Sequence, residues 1–574
     1  MDLRDRIDVA AGRKPADLVL RGGRIVNVCS GEIHDGDVAI LGDRIVGIGA
    51  YEGAQVVDVR GRYICPGLID GHVHIESSLL NVPQFARTVA AHGTTAVIAD
   101  PHEIANVMGA EGLRYILSAS KYCPIHVFVM VSSCVPASRF ESAGAELTAE
   151  DITPLLADRW VVGLAEMMNY PGVVAGDAQC LEKLALADGR PIDGHAPGLS
   201  GRDLCAYAAA GIASDHECTT LEEAREKLRL GMHIMIREGS QARNLDALLP
   251  LVRPETLDRF MFVTDDKDVD DLLREGHIDH MLRRAVAAGM NPVHAVRMAS
   301  VNAARYFRLH QLGEISPGKL ASIAIFDDLL SFRTWRVYHA GRLVVDEGVC
   351  IDRPPTDRRL PVLRSSVNVP ALSVRQFAIA ADGAGELATH VIEVMEDRID
   401  TRRSIEVLPV SRGALQPDPA RDIAKIAVVE RHQASGRVGK GFVRGFGFLR
   451  GALGSSVGHD SHNLVVVGTS DEELLVAAEH IVKMRGGFCA VQDGKVLADV
   501  PLPIGGLMSD ADARTLSNQL RILHEAARQI APRLRRPFMA LSFLTLSVIG
   551  TLKVTDQGLV DVERFELIDP IVAS

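Results

Sequence analysis

With 574 residues, 47% hydrophobic and 24% charged, the chain has the balance of an ordinary globular protein, and its length exceeds one core, so two to four domains are expected. Its formal net charge of −12, with only short basic clusters at Arg358-Arg359 and Arg533-Leu-Arg-Arg536, excludes a nucleic-acid partner, which needs a basic stripe. The nine cysteines are scattered without close pairs and the charged start leads into no apolar signal, so reduced thiols and a cytoplasmic location are expected.

Residues 17–65 alternate apolar runs with Gly and Asp punctuation, as in Asp17-Leu-Val-Leu and Arg44-Ile-Val-Gly-Ile, which predicts short strands and tight turns. The same texture returns at 313–349, so 1–65 and 309–350 read as halves of one small composite β domain. Between them, 66–308 alternates apolar strand candidates with Ala/Leu/Glu/Arg-rich helices at 81–92, 179–188, 201–210 and 220–230. Repeated β-then-α of this length predicts a parallel (β/α)8 barrel with its site at the C-terminal strand ends. Residues 351–370, rich in Pro and Arg, read as a linker, and 371–574 as a separate α/β domain with helices at 471–485 and 510–530. The longest apolar run, 538–552, is too short and too broken by Ser, Thr and Gly to span a bilayer; a buried strand is expected and no membrane role.

The chemistry gathers at predicted strand ends. Residues i and i+2 share a strand face, so His72 and His74 converge just past the strand that ends near Leu68-Ile69. Imidazole is the commonest nitrogen ligand for divalent transition metals, but His-x-His alone is weak. Later strands end in Leu164-Ala-Glu166, Asp193-Gly-His195, Ser214-Asp-His216 and Phe262-Val-Thr-Asp265-Asp266. Singly, each has a bland reading as a loop residue or helix cap. Together, four histidines and two carboxylates in barrel order suit two divalent metals sharing a bridging carboxylate. The turn Asp100-Pro-His102-Glu103 closes the second strand candidate, so His102 and Glu103 also reach the rim, as partners of the ligands, as a further metal site or as acid–base groups, with a capped loop as the alternative. In the glycine-rich 439–463 segment, His459, Asp460 and His462 are candidates to close over the barrel mouth; a hydrogen-bonded turn in a β domain is the alternative. No strand-to-helix context supports a dinucleotide loop there. His74-Ile-Glu76 mimics half of the cytidine-deaminase zinc signature, but no cysteine lies three residues from another, which excludes that fold.

The run Pro66-Gly-Leu-Ile-Asp-Gly-His-Val-His74 resembles the first-strand signature of the amidohydrolase superfamily. The stretches His72–Ser78, Asp100–Asn106, Gly194–Gly201 and Gly454–Asn463 resemble, more closely, the adenine deaminases, over nearly the whole chain. The resemblance implies a TIM-like metal-dependent hydrolase barrel inserted in a small split β-sandwich domain, followed by an adenine-deaminase-type C-terminal domain. It implies that His72, His74 and Asp265 hold one metal, that His195 and His216 hold the other, and that a strand-four residue bridges them. Many relatives bridge with a carbamylated lysine; none lies in Trp160–Asn169, where Glu166 supplies the carboxylate. Manganese or iron is implied rather than zinc, and a homo-oligomer, as a dimer.

The activity implied is hydrolytic deamination of adenine to hypoxanthine and ammonia, with a purine base and water as the only partners. A metal-bridging hydroxide would attack purine C6. Asp265 would shuttle the proton to the departing amine. Glu76, two residues beyond His74 and so expected on the same strand face, would protonate a ring nitrogen. His102 is assigned an acid–base role, and Glu103, His459, Asp460 and His462 substrate contacts. The alternatives are a related cyclic amidohydrolase acting on a hydantoin, a dihydropyrimidine or another purine, and an idle barrel serving as a scaffold; the second conflicts with six filled ligand positions.

Overall fold

Residues 2–353, 363, 365–383, 385–396 and 398–572 are described by a computed structural model. Most of the expected linker, residues 354–362 and 364, lies outside the described residues. One nine-stranded sheet draws on both ends of the first 350 residues. Its join is the strand Tyr63–Pro66, which pairs parallel with Ala16–Asn27 and antiparallel with Ile323–Phe326, in the register Ile323 to Pro66 and Phe326 to Tyr63. The chain therefore leaves this sheet at Pro66 and returns to it more than 250 residues later.

Eight parallel strands occupy the intervening segment: β1 Leu68–Val73, β2 Thr94–Ala99, β3 His126–Val131, β4 Val161–Met167, β5 Ile192–Gly194, β6 Ser214–Asp215, β7 His233–Arg237 and β8 Phe260–Val263. Helices such as Val82–Ala90, Ala149–Leu156 and Leu221–Arg229 return the chain between them. β1–β5 pair in sequence order as one sheet and β6–β8 as another. Backbone bonds link the two at both edges: Ala213 N donates to Ile192 O at 3.0 Å, and Asp265 N to His72 O at 2.9 Å. Ile69, Ala96, Ile98, Phe128, Met130, Ala165, Met235, Met261 and Val263 pack together as one buried cluster within the strands. Burying a large apolar side chain there contributes about 1.5–3 kcal/mol, and the result is a solid floor under the strand ends. Two glycines permit close strand approach. A Cβ at Gly71 would meet Met261 Sδ at 2.9 Å, and one at Gly194 the Ser214 carbonyl oxygen at 2.2 Å.

Beyond residue 384, nine strands form a second sheet, with Val438–Arg444, Ile423–Val429, Leu464–Gly468 and Ala452–Ser455 at its centre. The helix Asp471–Met484 presents Leu474, Ala477, Ala478 and Ile481 to it, the i, i+3, i+4, i+7 spacing of one helical face. Ser470 caps its first turn by accepting from Glu473 N.

The apolar run 538–552 is not the continuous strand expected. It divides into a helix over Pro537–Phe543, turns through 544–550, and a strand, Leu552–Thr555. Proline at the first helical position and the interspersed Ser, Thr and Gly favour a short helix and turns over an unbroken ladder. Among the described residues no helix is long and apolar enough to cross a membrane.

Candidate metal centre

The ends of β1, β4, β5, β6 and β8 bring six side chains to one point. His72 Nε2 and His74 Nε2 lie 3.2 Å apart. His74 Nε2 is 3.0 Å from Asp265 Oδ1 and 3.3 Å from Glu166 Oε1. On the other side, Glu166 Oε2 is 2.6 Å from His195 Nδ1 and 3.3 Å from His216 Nε2, and those two nitrogens are 3.3 Å from each other. Glu166 thus turns one oxygen to each half of the cluster. With metal–nitrogen bonds of ~2.0–2.1 Å, ligands around one ion lie roughly 3 Å apart, so this spacing fits coordination. His–His contacts at such distances, with all six side chains buried or nearly so, make a poor hydrogen-bond network and a good donor set. The residues present therefore fit divalent metal. Burial opposes ionisation of Glu166, yet the surrounding His216 and His195 rings hold its carboxyl well below the usual range. Asp265 is likewise held low against burial, chiefly by the Arg237 guanidinium.

Buried polar residues orient these donors. Asp70 accepts from Thr264 Oγ1 at 2.5 Å and Thr264 N at 3.1 Å and lies 2.9 Å from His277 Nε2, tying the first strand to the last. The Asp100 carbonyl lies 2.8 Å from His74 Nδ1, leaving Nε2 to face the cluster, and the Asp100 carboxylate accepts from His102 N and Glu166 N. Tyr207 OH accepts from His195 N at 3.0 Å and donates to Met167 O at 2.7 Å. Asp215, fixed by Lys227 Nζ at 2.9 Å, accepts from Ala196 N at 2.9 Å and thereby spaces His195 from His216.

His102 and Glu103 open the helix that follows β2, His102–Met108. Both line the cavity above the donors, with Asp266, Arg237, Glu217, Met168, His459 and Asp460. His102 Nδ1 is 3.5 Å from Glu166 Oε1. Glu103 Oε1 is 2.8 Å from His459 Nδ1, and its Oε2 pairs with His462 Nε2. The loop 456–463 of the C-terminal sheet therefore lies over the strand ends. Burial opposes a charge on His459, but the Glu103 carboxylate outweighs it and lifts the imidazole to about 9; for His462 burial wins, and its pKa falls to about 4. Phe543, Leu546, Val548 and Ile549, from the misread apolar run, supply an apolar wall. Phe543 stacks on His459, with ring centroids 4.5 Å apart and planes at 13°.

Glu76 departs from expectation. The strand ends at Val73 and the chain turns at once into a 3₁₀ helix, Ile75–Ser78, which removes the i, i+2 relation to His74. Glu76 does not line the cavity; its Oε1 accepts from Ile104 N at 3.1 Å, as a carboxylate beside a helix N-terminus does. Burial, reinforced by Glu103, raises its pKa to about 7. Glu217, which follows His216 directly, and Arg237, which closes β7, also line the cavity. Arg237 bridges Glu217 and Asp265, at 2.5 Å from Asp265 Oδ2. An arginine closing β7 was the available signal; its partner was not.

Strands that deliver a shared donor set to their C-terminal rim define a metal-dependent hydrolase of the amidohydrolase type. Residues 63–349 match the model of the amidohydrolase family, and 398–566 that of the adenine deaminase C-terminal domain. The chain is 46% identical to an adenine deaminase of Dehalococcoides mccartyi, covering 99% of both chains, and 48% identical to one of Desulfatibacillum aliphaticivorans, covering 98% of both. An adenine deaminase of Brucella anthropi is 45% identical, with 98% of this chain and 99% of that one covered. The chain belongs to the adenine deaminases of the amidohydrolase family.

Proposed function

We propose that this chain hydrolyses adenine to hypoxanthine and ammonia, on two divalent metal ions per subunit. The observation that carries the reading is Glu166, whose two oxygens face two separate donor groups at the rim of parallel strands. Full-length similarity to adenine deaminases supports adenine over a hydantoin or dihydropyrimidine. We read the eight parallel strands as a (β/α)8 barrel inserted in the split β domain, with the C-terminal domain completing the cavity.

In this reading His72, His74 and Asp265 hold one ion, His195 and His216 the other, and Glu166 both. The ions, manganese or iron by family resemblance, would acidify a water so that hydroxide is supplied near neutral pH. Asp265 takes a proton from the attacking water and returns it to the departing amine. Arg237, paired to its other oxygen, keeps that carboxylate ionised and aimed. His102, which lies between Glu166 and Glu103, would pass a proton to the ring. Glu76 holds the helix that presents His102 and Glu103, a supporting role in place of the acid role expected. Glu103, His459 and Asp460 contact the purine; His462, expected to do so as well, does not line the cavity and instead holds Glu103. We further propose a homodimer located in the cytoplasm.

Ammonia release from adenine by the purified protein, measured beside metal content, tests the reading. Metal-replete protein that releases no ammonia from adenine would refute it.

A further inference from the structure

Resting on the adenine reading above, we infer that Asp460 accepts a hydrogen bond from the imidazole-ring N–H of a free purine base and so separates bases from N-substituted purines. Asp460 is 3% exposed and lines the cavity. Its Oδ2 has no hydrogen-bond partner among the described residues. The neighbouring His459 Nδ1 is 3.8 Å from Asp460 Oδ1, too far to donate, and is engaged by Glu103 Oε1 at 2.8 Å. A buried carboxylate without a donor is costly and rare in native proteins, and Asp460 is one of the side chains that line the cavity.

Its position is built. His459 N donates to Ser542 O at 2.8 Å, and Thr545 Oγ1 donates to the His459 carbonyl at 2.9 Å, so the helix Pro537–Phe543 and the turn after it hold the 459–460 loop from behind. Ligand atoms of His102, Glu103 and Asp460 lie within 4.8 Å of one another, and His102 in turn is 3.5 Å from Glu166. His102 therefore neighbours both Asp460 and the Glu166 carboxylate. The Phe543–His459 stack and the apolar side chains of 546–549 give the cavity a flat, apolar side suited to an aromatic face.

A 6-aminopurine base carries two kinds of donor, the exocyclic amine and one imidazole N–H. C6 must lie at the donor cluster to be attacked, which commits the amine there and leaves the imidazole N–H for a distant acceptor. Substitution at that nitrogen removes the hydrogen. A cation held by His102, Glu103 and Asp460 is the competing explanation of the open carboxylate, but both Glu103 oxygens are already paired with imidazoles.

The test compares wild type with Asp460→Asn on adenine, 7-methyladenine and 9-methyladenine, reading ammonia release and metal content. A hydrogen bond to a charged acceptor implies that the variant loses roughly 10–100-fold in kcat/KM on adenine, mostly in KM. Activity on one of the two methylated bases should change little, so the preference over that base collapses while metal content stays at the wild-type value. Equal losses on all three bases, or the loss of one metal per subunit, would overturn the inference. If Asp460→Asn does not fold, Asp460→Glu keeps the acceptor but moves it, and an unchanged preference there would overturn the inference equally. Wild type inactive on adenine would instead sink the adenine reading itself.

Discussion

Each of the six donors lies within two residues of the C-terminal end of a strand in the segment 68–263, whereas His459, Asp460 and Phe543 reach the same cavity from a loop and a helix hundreds of residues further on. The first group is held by short-range strand geometry over a packed floor and by buried partners such as Asp70, Asp100 and Asp215. The second depends on docking between distant parts of the chain, through Glu103 with His459 and His462, Arg536 with Asp268 and Asp271, and Asn463 with the Ser142 carbonyl. From this difference we expect metal binding at the rim not to require the far wall. Damage to the rim should therefore remove metal and turnover together, and damage to the wall turnover alone.

The largest effect is expected at the rim. His72→Ala, or Glu166→Gln, which keeps the shape but not the bridging charge, should lower metal content and reduce ammonia release from adenine by about four orders of magnitude, several kcal/mol of lost charge stabilisation. Elemental analysis beside the assay checks both halves; a Glu166→Gln protein with full metal and near-normal turnover would end the proposal that Glu166 bridges.

A smaller loss is expected where rim and wall meet. Glu103→Gln leaves the buried, charged His459 without its counter-charge and the neutral His462 without its acceptor, and breaking a buried pair costs about 3–5 kcal/mol, part of it in stability. We expect kcat/KM on adenine to fall about 100-fold or more with metal content unchanged. Metal lost in proportion to activity would show that the two regions are one unit. Phe543→Ala should be milder, about tenfold in KM with kcat nearly kept, since a stacked ring is worth about 0.5–1.5 kcal/mol beyond its buried area.

The same contrast explains what the sequence disclosed. His-x-His, Glu166, His195, His216 and Asp265 each follow an apolar run directly, and strand alternation turns that adjacency into direction. Where the backbone left the strand, the rule failed: Glu76 sits two residues past His74, but the 3₁₀ turn after Val73 sends it to the helix N-terminus at Ile104. The run at 538–552 failed for another reason. Hydrophobicity reports burial, and burial against a cavity wall looks the same in sequence as burial in a sheet. Arg237 and Glu217 were legible as residue types but not as a pair, because their contact is set by neighbouring strands rather than by spacing along the chain.

The smallest expected effect falls on stability and again separates wall from rim. Lys553 is fully buried behind the wall, where its Nζ donates to Ile399 O at 2.9 Å and Phe543 O at 2.7 Å. Burial pushes its pKa down to about 7, against the weaker pull of Asp400. Between about pH 7 and the ordinary lysine range, the unfolded chain holds a proton that the folded chain does not. Stability therefore rises with pH across that window, and below about pH 7 the cost of burying the ammonium is fully present. A shift of this size corresponds to roughly 5 kcal/mol at most. In Lys553→Met that slope disappears, while the two abandoned carbonyls cost about 1–3 kcal/mol each at every pH. Thermal unfolding should accordingly show the variant at its best relative to wild type near pH 6, with the difference moving against it by a few degrees toward pH 10. Parallel pH profiles for the two proteins would mean that Lys553 stays charged in the fold and that its two carbonyl contacts hold the Phe543 wall as an ion would.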